Sequence, residues 1–177
     1  EKTNYQTLAS TNVNNNILKG LMFIGSNASG KTNSVVAIKF LLDCLFGNND
    51  TSYVPYKCLF NSNPTIKLSY TFEIEKKEIK YDIKLQTLDE SIFEDLYIDN
   101  VSVFHRDCSY ASVNINEHLE YSDVPKKSLF LRSVYFNTKF RGNTTLQKWF
   151  EFLSNSIYVN LYERQITTYK DTNLTID

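Results

Sequence analysis

Hydrophobic and polar residues follow two rhythms along this chain, and the change between them divides it. Residues 1–16 are polar and rich in Asn, with no period, and are expected as loop or frayed edge. Leu21-Met22-Phe23-Ile24 is an unbroken apolar run, the pattern of a short strand buried on both faces. Thr32 to Phe46 is apolar almost all round. Its polar exceptions, Lys39 and Asp43, stand four apart on one side, which predicts a helix in the middle of a domain. Gly47-Asn48-Asn49-Asp50 ends that helix, with glycine near the C-cap.

Beyond residue 65 the period drops to two. Ile66, Leu68, Tyr70, Phe72 and Ile74 alternate with polar partners, Lys76-Lys77-Glu78 breaks the run, and Ile79, Tyr81, Ile83 and Leu85 alternate again. This predicts a hairpin with one buried face. A third strand is expected at Ile92 to Ile98, turned by Asp99-Asn100 into a fourth at Val101 to Phe104. The last third returns to helical spacing. Pro125 can open a helix reaching Phe136. Leu146, Trp149, Phe150, Leu153 and Ile157 mark one face of a second, with Thr144 and Gln147 as its capping box. The expected organisation is a single partial lobe, 1–177. Strand, loop and helix occupy 17–60, an antiparallel β subdomain 65–115, and a helical part 125–161.

Composition narrows the classes. The chain has 177 residues, 42% hydrophobic, with twelve Tyr and twelve Phe, which supports a packed core and excludes disorder. A net charge of −1 gives no bulk attraction to nucleic acid. Cys44, Cys58 and Cys108 are odd in number and lack C-x-x-C spacing, as expected of reduced thiols in a cytoplasmic protein. No apolar run is long enough to span a membrane, and no secretory signal stands at the start. The chain opens at Glu1 and closes on the polar Asp171 to Asp177, so a partial piece of a longer protein is expected.

One motif carries chemistry. Gly25-Ser26-Asn27-Ala28-Ser29-Gly30-Lys31-Thr32 fits G-x-x-x-x-G-K-[ST]. Such a loop must wrap an anion closely enough for backbone N–H groups to reach it. Glycine at 25 and 30 permits the approach. A helix starting near Lys31 aims its unpaired N–H groups and positive dipole end at the same phosphates. Lys31, the one residue here with a catalytic role, supplies a full charge to the β and γ phosphates. Thr32 offers a hydroxyl to Mg2+. A random match in a chain this long has a probability on the order of one in a hundred. The strand-like run before the motif and the helix after it reduce that further.

The inner residues, with Asn33 following, resemble the G-x-N-x-S-G-K-[ST]-N loop of SMC, RecF and Rad50-like ATPases, and most closely the OLD-like, ABC-type bacterial ATPases. Glu94-Asp95-Leu96-Tyr97 is similar to a Glu-x-Leu-Tyr segment of those proteins, and Phe104-His105-Arg106 to a Phe-x-Arg segment. The likeness runs from about Leu18 to Leu161, and only the loop is specific. It implies an α/β P-loop NTPase fold, here a partial ABC-ATPase-like lobe with an antiparallel β subdomain and C-terminal helices. It further implies ATP with Mg2+ on residues 25–33, a homodimer or head-domain assembly, and coupling to DNA or an effector nuclease, as in defence against phage. The chain departs from the pattern. No run of four apolar residues leads into Asp-Glu, no signature Ser-Gly or late switch histidine is found, and the 133–140 region has Tyr135 and Asn137 but no glutamine. This fragment alone is therefore expected to be inactive in hydrolysis.

Other candidates have plainer explanations. His105, His118 and Cys108 match no zinc spacing and read as surface residues. Glu73, Glu75, Glu90 and Glu94 read as solvated carboxylates, and no serine has a nucleophile elbow around it. Trp149, Phe150 and Phe152 read as core rather than a base-stacking platform. Lys126-Lys127 and Lys139-x-Arg141 are too short to count as a patch. Two other functions stay open. A small-molecule or nucleotide kinase is disfavoured by the antiparallel insert straight after the loop helix. A nucleotide-gated interaction module would bind ATP without turning it over.

Overall fold

The computed structural model describes residues 13–14, 17–18, 24, 26, 30–47, 65–86, 88, 90–160 and 164–169. The chain divides into two compact units, Glu1–Val36 and Ala37–Asp177, with the boundary inside a helix.

In the first unit, β1 (Val13–Asn14) pairs antiparallel with β2 (Ile17–Leu18), in the stretch expected as loop. Ile24 is 83% exposed and belongs to no strand, against the expectation of a strand buried on both faces. Leu21, Met22 and Phe23 lie outside the described residues. Helix α1 (Lys31–Phe46) begins here.

Burial in α1 changes along its axis rather than around it. Phe40, Leu41, Leu42 and Leu45 are buried, while Val35 and Ile38 are exposed. Ile38 falls on the same stripe as Leu41, Leu42 and Leu45 at 3.6 residues per turn. A uniform mid-domain helix is therefore not what forms: only the second half is enclosed. Lys39 and Asp43, four apart on one side, form an ion pair, and Tyr169 adds a hydroxyl bond of 2.7 Å to Asp43.

The second unit is built on a six-stranded antiparallel meander in sequence order: β3 (Thr65–Ile74), β4 (Lys77–Gln86), β5 (Ile92–Ile98), β6 (Val101–Asp107), β7 (Tyr110–Asn114) and β8 (His118–Tyr121). The first turn is tighter than the charge run suggested. Glu75 and Lys76 alone make it, both at positive φ (53 and 67), the primed geometry that matches strand twist. Asp99 and Asn100 repeat it at φ 49 and 64. Strands β7 and β8 were not anticipated; their alternation is short and largely polar. β3 pairs antiparallel with β4 along its whole length.

Inward residues of the sheet, among them Ile79, Tyr81, Ile83, Leu85 and Leu96, share one core with the second half of α1 and two further helices. Helix α2 (Phe130–Thr138) starts five residues later than Pro125 predicted. Pro125 stays in the preceding loop, where its carbonyl is bound by Arg106 at 2.6 Å. Helix α3 (Thr144–Ser154) is capped by Asn143, whose side chain accepts from the Leu146 N–H at 3.0 Å. The capping box centred on Thr144 is thus off by one residue. Leu146, Trp149, Phe150 and Leu153 are buried as the spacing required, whereas Phe152, on another side of the helix, is 57% exposed. Ile157 is not helical. It opens β9 (Ile157–Asn160), which pairs with β10 (Gln165–Thr168) and leaves Ile157 exposed.

Candidate functional site

Of the nine loop residues, Ser26, Gly30, Lys31, Thr32 and Asn33 are described; Gly25, Asn27, Ala28 and Ser29 lie outside the described residues. Gly30 sits at φ +87, and a Cβ there would meet nothing within 4 Å. The glycine is therefore required by backbone conformation, not by crowding. Lys31 opens α1 directly after it. Its Nζ turns back along the loop and donates to the Ser26 carbonyl at 2.6 Å. The ammonium thus reaches back to a residue five positions before it.

Thr32 and Asn33 are exposed in the first turn. The Ser34 N–H bonds the Gly30 carbonyl at 3.3 Å and starts the helical ladder. N–H groups ahead of that point have no intrahelical acceptor. No acidic side chain occupies this first turn, the positive end of the helix. A single threonine hydroxyl fits Mg2+ of the kind held mainly by phosphate oxygens and water rather than by a protein cage.

A second polar centre lies in the sheet of the other unit, and sequence reasoning assigned it wrongly. Glu94, expected to be solvated, is 0% exposed, and so is Arg106. They are direct cross-strand partners of β5 and β6. Arg106 Nη1 donates to Glu94 at 2.8 Å and to the Ser128 carbonyl at 2.7 Å, and Nε donates to the Cys108 carbonyl at 3.0 Å. Glu94 also accepts the Tyr81 hydroxyl at 2.5 Å and the backbone N–H groups of Phe130 (2.7 Å) and Leu131 (3.3 Å). The carboxylate thereby caps the start of α2, where the flanking Leu129 offers no side-chain cap. Burial first, and then the adjacent Glu94 charge, push the Tyr81 hydroxyl well above the ordinary tyrosine range. The signal was present in parity: Glu94 is in phase with inward Ile92 and Leu96, and Arg106 with Phe104. The Glu-x-Leu-Tyr and Phe-x-Arg segments meet at this pair.

The histidines go to the surface. His105 bonds Asp95 at 2.6 Å, and His118 bonds Glu120 at 3.1 Å. Among the described residues no three His, Cys, Asp or Glu side chains gather as a metal site. No helix among them is long and apolar enough to cross a membrane. No family model, curated protein or solved structure matches this chain.

Proposed function

We propose that this chain binds a nucleoside triphosphate, ATP with Mg2+, on residues 25–33, and serves as the nucleotide-binding lobe of an ABC/SMC/OLD-like ATPase. The observation that carries the reading is local. A left-handed glycine, Gly30, leads into a helix whose first residue, Lys31, folds its ammonium back onto the Ser26 carbonyl. Bound phosphate would replace that carbonyl as the partner of Lys31, and the first-turn N–H groups would add fixed dipoles. Thr32 would hold Mg2+ against the phosphates. When bound, the ion supplies charge neutralisation at the β and γ oxygens. ATP rather than GTP rests on the loop's resemblance alone.

Turnover needs a general base and a charge-stabilising group, and the sequence supplies neither in a recognisable motif. The chain by itself therefore binds without sustained hydrolysis, and a dimeric or larger assembly completes the site. Calorimetric titration of Mg-ATP into the wild type and Lys31→Ala tests the reading. Heat of binding in the wild type and its loss in the variant are expected. Equal affinities would remove the phosphate-loop assignment. Steady phosphate release at about one per second, the low end of enzyme turnover, would remove the non-hydrolysing reading of the isolated chain.

A further inference from the structure

The meander has two edges, and they are built differently. β8 is four residues long and carries His118 and Glu120, the short and polar form that discourages further pairing. β3 runs for ten residues without proline, and its pairing with β4 has no bulge. Among the described residues β4 is its one strand partner. The apolar side of β3, formed by Ile66, Leu68, Tyr70, Phe72 and Ile74, is half-buried, whereas Ile79, Tyr81, Ile83 and Leu85 of the neighbouring β4 are buried. Phe152 stands 6.5 Å from Phe72 and is itself exposed, so apolar surface beside this edge is left uncovered.

The polar side of β3 carries a conflict. Its register sets Lys67 opposite Lys84 and Glu73 opposite Glu78. Like charges directly across a ladder destabilise it. Lys67 and Glu73 are exposed, and neither forms an ion pair with a described residue. The strand thus presents a cation near its start and an anion near its end, each beside a charge of its own sign.

From this pattern we infer that β3 pairs antiparallel with β3 of a second copy of this chain, about a two-fold axis at Tyr70. In that register Lys67 faces the second copy's Glu73, Ile66 faces its Ile74, Leu68 its Phe72 and Ser69 its Thr71, and symmetry makes each pair twice. Across the seam the row then reads Lys84, Lys67, the second copy's Glu73 and its Glu78, so each like-charged pair meets its opposite. A slip of one residue would set Ile66 against Glu73 and put apolar positions opposite polar ones. Centring on Ser69 keeps the sides matched but sets Lys67 against Thr71. The Tyr70 register satisfies both demands. An unrelated extended segment would have to supply this charge spacing, whereas the second copy carries it by symmetry. The seam uses no residue of 25–33 and needs no nucleotide, so it is a different surface from one closed around the phosphate loop.

Sedimentation velocity of the full chain without nucleotide, over the micromolar range, tests the seam. The wild type should dimerise as concentration rises. K67E and E73K each turn both cross-copy charge pairs repulsive, and each should raise the dimer dissociation constant at least about tenfold. Neither should lower the thermal melt, because each replaces a like-charged pair within the chain by an opposite one. An equimolar mixture of K67E and E73K should dimerise again, since each variant then faces the charge it lacks. A wild type that stays monomeric, single variants that dimerise as well as it does, or a mixture that fails to associate would overturn the inference. Dimers that form only with Mg-ATP would also overturn it, in favour of an assembly closed by nucleotide.

Discussion

The two polar centres of this molecule treat charge in opposite ways. Glu94 and Arg106 are shut away from water, and each has several partners: hydroxyl, backbone N–H and carbonyl groups surround the pair. At the start of α1, Lys31 follows a glycine at positive φ, beside exposed Thr32 and Asn33 in a turn with no acid. A buried charge is tolerable only when its partners are complete, so the first centre is closed to ligands and locks strands to a helix start. The second is a helix start with no acid in its first turn, the kind of place where an anion is proposed to bind. Density of interactions therefore marks a structural centre here, and the other centre is the one proposed to take a ligand.

Breaking the closed centre should have the largest effect. Arg106→Ala leaves the Glu94 carboxylate buried without its cation and should cost about 3–5 kcal/mol, read by urea unfolding. Replacing both partners, Glu94→Leu with Arg106→Met, should recover much of that loss, because no uncompensated charge remains. A double variant no better than the single one would show that capping of α2, not charge pairing, dominates.

Alkaline titration probes the same centre more gently. Tyr81 is raised by burial and by Glu94, and Tyr70, which donates to the Ala37 carbonyl, is raised chiefly by burial. Both stay neutral in the fold after unfolded tyrosines ionise near pH 10. The unfolded state then binds fewer protons, so stability is full below about pH 10 and falls as pH rises beyond it, by roughly tenfold in the folding constant per unit for Tyr81. Ultraviolet titration should show these two phenols ionising only with unfolding. Early ionisation of Tyr81 would mean that the centre opens to water.

Asn143→Ala, removing the cap of α3, should cost about 1 kcal/mol in the same unfolding assay. A loss near zero would place the weight of that helix wholly on Trp149 and Phe150. Smallest of all, Lys31→Ala should leave the melting temperature within about 1 °C of the wild type, as surface changes generally do.

Much of this architecture was legible, for reasons visible residue by residue. Strict alternation at 66–74 and 79–85 leaves one register that buries Ile79, Tyr81, Ile83 and Leu85, so the hairpin followed from the pattern. The Asn-containing turn at 99–100 was equally plain. Helix starts were not, because Pro125 and Thr144 are acceptable at a first turn while the actual caps are set by tertiary partners: a strand carboxylate for α2 and the neighbouring Asn143 for α3. Glu94 was misassigned because its residue type outweighed its parity. The run Leu21–Ile24 looked like a central strand because apolar content alone cannot say what covers it, and Ile24 is exposed. Of the proposed phosphate loop, Gly30 and Lys31 stand where a helix begins.

The most direct measurement is a pair of thermal melts, wild type and Lys31→Ala, each with and without Mg-ATP. Ligand at a hundred times its dissociation constant stabilises the native state by about 2.7 kcal/mol. The wild type should rise accordingly. Lys31→Ala should match it without nucleotide and fail to rise with it. A variant that melts far below the wild type on its own, or that gains as much from Mg-ATP, would contradict the division between a closed structural centre and an open anion site.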